Sequence, residues 1–141
     1  MKRLVLVVLL LLPFGAIAQD DYDFGTYWTV TAVDTKPGHF DGYLTDLKAG
    51  WRKSLDIQIK DGKVVSYQMF ANVNPRDGEP NLWLLVEWKS GAAMLDTPKE
   101  YWDAHTKKLW GSQKKGEEEG MKRGELRTLM GDTLMREISF N

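Results

Sequence analysis

An α+β domain with the element order strand, helix, strand, strand, helix, strand is predicted by three observations. Two strand-like runs, 64–73 and 82–88, are joined by a loop rich in proline and turn residues. An aromatic stretch at helical spacing precedes them, and a helix-start signal followed by an alternating apolar run comes after them.

The chain opens with Lys2 and Arg3, then an unbroken apolar run from Leu4 through Leu12, then Pro13, Gly15 and Ala16-Ile17-Ala18. That order is the pattern of a cleavable export signal over residues 1–18, with cleavage before Gln19. The apolar stretch ending at Ala18 falls short of the roughly 20 residues that span a bilayer, so no stable membrane anchor is expected. The expected location is the periplasm or the medium outside the cell. No cysteine follows the run to take a lipid.

Residues 19–25 form a short acidic leader, and residues 26–141 have the length of one domain, able to bury a core unaided. The chain has no cysteine, which excludes disulfides, thiolate nucleophiles and cysteine-ligated metals. With 19 basic and 20 acidic residues it lacks the basic excess that nucleic-acid binding requires.

Within the domain, Thr26 to Val33 is rich in Tyr, Trp, Thr and Val and reads as a strand stopped by Lys36-Pro37-Gly38. Phe40, Tyr43, Leu44, Leu47, Trp51 and Leu55 then recur on one helical face, and Asp61-Gly62 ends that helix. A competing reading makes Leu55, Ile57 and Ile59 alternate in a hairpin turned at Asp61-Gly62. Val64 to Val73 and Leu82 to Trp88 read as strands of an antiparallel hairpin across the loop Asn74 to Pro80. Thr97-Pro98-Lys99-Glu100 reads as a capping box opening a helix that turns Tyr101, Trp102, His105 and Leu109 inward. Glycines 111, 116, 120 and 124 each weaken a helix by about 1 kcal/mol, so Lys114 to Arg123 is expected to be a solvated segment. A helical turn from Glu125 to Met130 and a last strand from Thr133 to Phe140 complete the chain.

This is the ferredoxin-like order β-α-β-β-α-β, with a four-stranded antiparallel sheet and two helices on one face. Alternation along the third strand puts Leu82, Leu84, Val86 and Trp88 on one side, with Trp83 and Leu85 on the other. Both faces are apolar, so the uncovered one is expected to be an interaction surface.

Lys36-Pro37-Gly38 with the aromatic helix after it, the passage from Trp51 through Lys60-Asp61-Gly62-Lys63 into Val64-Val65-Ser66-Tyr67, and the element order together resemble the dimeric α+β barrel superfamily, over about Thr26 to Phe140. The resemblance implies a homodimer whose two sheets close a barrel. Its members include monooxygenases without cofactors, haem-degrading enzymes, isomerases and decarboxylases, so fold alone assigns no reaction. The haem-degrading members share an asparagine, a tryptophan and a histidine. Trp83 or Trp88 and His105 answer two of these, but the first strand offers Thr29 or Thr31 in place of the asparagine, and no cofactor is expected.

Two functional classes follow. One is a binding or structural dimer with a small apolar or aromatic molecule in an inter-sheet cavity, held by Tyr67, Trp83, Trp88 and Arg76. The other is a cofactor-independent monooxygenase or isomerase, with His39 or His105 as base and Tyr67, Gln68 or Thr31 placing the substrate. Each residue has a plainer role as well: His39 as a surface imidazole, His105 as a packed helix residue, Arg76 with Asp77 and Glu79 as turn charges, and the tryptophans as core. Two histidines without ligand spacing predict no metal centre, and no serine lies in a Gly-x-Ser-x-Gly elbow.

Overall fold

The computed structural model describes residues 21–141; the export signal expected over 1–18 lies outside the described residues. The elements are β1 (Tyr22–Thr35), α1 (Phe40–Ala49), α2 (Trp51–Lys60), β2 (Val64–Ala71), β3 (Leu82–Trp88), α3 (Gly91–Leu95), α4 (Lys99–Trp110), α5 (Gln113–Leu126) and β4 (Arg127–Phe140). The strands form one antiparallel sheet in the order β2-β3-β1-β4. Its strand sequence is the ferredoxin-like one, with five helical segments among the described residues where two were expected. None of these helices is long and apolar enough to cross a membrane.

The expected first helix is present but interrupted at Gly50, whose amide still bonds to the Asp46 carbonyl at 2.9 Å. A Cβ at Gly50 would stand 2.6 Å from Arg123 Nη2 and 2.9 Å from Trp110 Cζ2, so only glycine lets those side chains close in. Leu55, Ile57 and Ile59 are helical rather than strand. That helix ends where Asp61-Gly62 predicts it: Gly62 has φ +72°, and the amides of Gly62 and Lys63 bond back to the carbonyls of Ile59 and Gln58. This is a Schellman closure.

Three expectations need correction. The capping box at Thr97 does not form, because the Thr97 hydroxyl donates to the Ala93 carbonyl at 2.6 Å and accepts from Lys63 Nζ at 2.9 Å; α4 starts after Pro98 with no side-chain cap. Residues 114–123 are helical throughout. Ser112 caps that helix by accepting from the Lys115 amide, and Gly116 lets α5 press against Thr106 and Trp110 of α4. Finally, β1 and β4 are longer than expected: Tyr22 to Phe24 of the acidic leader pair with the end of β4, and β4 starts at Arg127, where a helical turn to Met130 was expected, because it continues the pairing with β1; β2 stops short at Ala71.

Cross-strand register assigns the sheet faces. Thr29, Thr31 and Val33 share a face with Leu82, Leu84, Val86 and Trp88, and the core lies there under the helices. Val33, Tyr43, Leu47, Leu82 and Leu84 form one buried cluster; Leu55, Val64, Val86 and Trp88 form the other, and Trp51 packs against both. Full burial of such side chains contributes about 1.5–3 kcal/mol each. The opposite face carries Trp28, Val30, Leu85, Trp83, Phe70 and Met135, with Glu87 bonded to Thr26 and Ser66 among them.

Candidate functional site

Two adjacent cavities lie between the helix layer and the sheet, and Leu47 and Trp51 line both. Both are formed by a single subunit; the cavity expected between paired sheets would need a second one.

The first, about 230 Å³, is mostly apolar. Leu44, Leu47 and Trp51 form its helical wall, Tyr67 and Met69 of β2 its floor, and Lys48 and Arg52 its rim. The Trp51 and Tyr67 rings meet edge to face, 5.3 Å between centroids, and the Tyr67 hydroxyl donates to Asp56 Oδ1 at 3.0 Å. Desolvation first, and then the Asp56 carboxylate, push the Tyr67 phenol above its ordinary value, so Tyr67 presents a neutral ring.

The second cavity, about 200 Å³, is more polar. Tyr43 and Arg123 come from α1 and α5, Thr31 and Leu84 from the sheet centre, and Arg127, Leu129 and Asp132 from β4. A bulge brings these three β4 residues to one wall. Gly131 pairs with Ala32 and Leu129 with Val33, leaving Met130 as the extra residue, so Arg127 and Leu129 share a face with Asp132 despite the odd spacing. Arg123 Nε is ion-paired with Asp46, and Thr31 donates to Asp132. The Arg127 guanidinium lies over the Tyr43 ring, 5.7 Å from its centroid. Burial raises the Tyr43 phenol against the pull of Arg127 and Arg123.

The residues singled out by the sequence separate. Tyr67 lines the apolar cavity. Trp88 is buried on the helix face, its Nε1–H donating to Thr29 Oγ1 at 3.0 Å, whereas Trp83 points to the opposite face, the division their alternation predicts. Gln68 is on that opposite face too, and Thr31 lines the polar cavity. Arg76 is exposed in the β2/β3 loop beside Glu79. His39 is exposed ahead of α1.

His105 is buried between α4 and α2, with its Nε2 2.8 Å from Ser54 Oγ and its ring stacked on Tyr101. Burial holds its imidazole below the ordinary value, against the pull of Asp61. Neither histidine lines the two cavities. Among the described residues, no group of three or more His, Cys, Asp or Glu side chains is placed to hold a metal.

Arg123, Arg127 and Asp132 do not stand out in the sequence. The first falls in a glycine-rich charged run, and the bulge hides the common facing of the other two. The signal that was present is Trp51 at the centre of the aromatic helix face.

No protein-family model matches the chain, and no curated protein matches it. Solved structures do. A dimeric ferredoxin-like protein from an uncultured marine organism is 11% identical over 84% of this chain and 90% of its own, with a TM-score of 0.53. A second protein of the same description and source is 13% identical over 81% and 94%, with a TM-score of 0.50. At this identity the likeness establishes the ferredoxin-like fold.

Proposed function

We propose that the chain is the subunit of an exported homodimer that holds a small apolar or aromatic molecule between its helix layer and its sheet. The observation that carries this reading is the pair of cavities around Trp51, walled by Leu44, Leu47, Tyr67 and Met69. Concave, mostly apolar space with a few converging polar groups is the usual form of a small-molecule site. A general base would have to reach the substrate, and the two histidines are directed elsewhere, which favours binding over catalysis.

Dimerisation is supported by two features. Among the described residues no helix covers the sheet face bearing Trp28, Trp83, Phe70 and Met135, with Phe70 53% and Met135 49% exposed. Among the described residues β4 pairs only with β1, which leaves its outer edge without a strand partner there over 14 residues. Two similar structures are described as dimeric. Export rests on the signal pattern of residues 1–18.

Native mass spectrometry of the protein recovered from its exported fraction tests these points together. A dimer beginning at Gln19 and carrying a non-protein mass is expected, with the mass lost in a Trp51→Ala variant. A ligand-free monomer would overturn both assembly and site. An unprocessed chain starting at Met1 would overturn export.

A further inference from the structure

We infer that the molecule held in the cleft is an acid, an apolar body ending in a carboxylate that pairs with Arg127. This rests on the reading of the cleft as a ligand site and names the chemistry of its polar end.

Arg127 is placed by two elements at once. It is the first residue of β4 and the residue at which α5 ends, and there it pairs with Thr35 while the Leu126 carbonyl accepts from the Lys36 amide. Its position is therefore set by backbone. Its guanidinium is half-buried on the wall of the polar cavity, and no carboxylate among the described residues lies within ion-pair distance of it. The Nε–H is buried and has no acceptor among the described residues. The face of Tyr43 offers a cation–π contact, which leaves the donor unanswered.

A partly desolvated guanidinium with a free donor is costly until an anion meets it, and a carboxylate is the planar partner that its fork fits. Arg123 adds to that role: its Nε is paired with Asp46, but its Nη2 is buried on the same wall and also has no acceptor among the described residues, so it offers the carboxylate a second donor. Asp132, which accepts from Thr31, stands four residues along β1 from the Arg127 pairing, about 13 Å away at the rise of a strand. Leu47, Trp51, Leu84 and Leu129 supply apolar surface on the same walls, beside Thr31 and Tyr43. At about 200 Å³ it is below the range of drug-sized pockets, so the acid is small.

The test titrates the ¹⁵N-labelled protein with two matched pairs, 3-phenylpropanoate against 3-phenylpropan-1-ol and hexanoate against hexan-1-ol. Each acid is expected to bind about tenfold or more tightly than its alcohol, as a charge-assisted pair implies, and to move the Arg127 Nε–Hε resonance where the alcohol leaves it in place. In Arg127→Gln the acids are expected to fall to the affinity of the alcohols, whose own binding is unchanged.

Equal binding of acid and alcohol, or an acid preference that survives Arg127→Gln, overturns the inference and leaves the cleft a ligand site. No binding by any of the four overturns the inference and the cleft reading together. Should Arg127→Gln fail to fold, the response of the Arg127 resonance in the unmodified protein decides.

Discussion

β3 and β4 flank β1 on opposite sides, and both pair with it antiparallel, yet every second residue of β3 is buried and none of β4 is. The two strands do not differ in apolar content enough to explain this, since β4 carries Leu129, Met130, Leu134, Met135, Ile138 and Phe140. What differs is cover. β3 lies under the helix layer between β1 and β2, whereas β4 is the sheet edge and runs with the start of β1 past the helices. Strand pairing alone therefore does not make a core; the helices decide which face is dry.

The largest effect that sharpens this contrast is at Trp51, the side chain shared by both core clusters. Trp51→Ala is expected to destabilise by about 3–5 kcal/mol and Leu84→Ala by about 2–5 kcal/mol, read from chemical denaturation. The matching change on the edge strand, Leu134→Ala, is expected to alter subunit stability by no more than about 0.5 kcal/mol. A loss comparable to that of Leu84→Ala would break the comparison.

A second test lies along α5. Gly116→Ala would gain about 1 kcal/mol of helix propensity, but its Cβ would stand 2.6 Å from Thr106 Cγ2. Overpacking of about 1–3 kcal/mol outweighs that gain, so net destabilisation is expected. Gly120 has nothing within 4 Å of the same position, and Gly120→Ala is expected to raise the melting temperature. Equal responses at the two sites would mean that α5 is not seated on α4.

Smaller again is the pH response of the covered side. His105 is held neutral by burial, so its folded value lies below the ordinary 6.5 and the unfolded chain takes up its proton first as pH falls. Its stabilising contribution is complete above about pH 6.5 and is lost as pH drops through the folded value. His105→Gln is expected to flatten the acid side of the stability profile; an unchanged slope would show that the α2–α4 contact does not titrate through this ring. On the uncovered side, Met135→Lys is expected to leave stability within about 0.5 kcal/mol while shifting the proposed dimer toward monomer in sedimentation.

Much of the fold was legible because its signals are local. The alternation of Leu82 to Trp88 and the Asp61-Gly62 stop are written into neighbouring residues and survive in the structure. The failures at 97–100 and 114–123 come from partners distant in sequence. Lys63 draws Thr97 away from its cap, while Asp46 and the packing of Thr106 against Gly116 hold a helix that glycine propensity argues against.

The candidate site was legible in part, at Tyr67 and Thr31. His105 stands where helical spacing puts it, inward, but toward Ser54 rather than toward a cavity.

The sequence by itself determined the element order, the apolar faces and the opposed directions of Trp83 and Trp88, because side-chain period and turn chemistry act over a few residues. The tertiary structure alone decided which face the helices cover, that the cavities lie within one subunit, and that Arg127 joins Tyr43 and Arg123 at one wall. Those outcomes depend on cross-strand register and on a single bulge at Met130, which shifts the facing of β4 by one residue and leaves no mark in the local pattern.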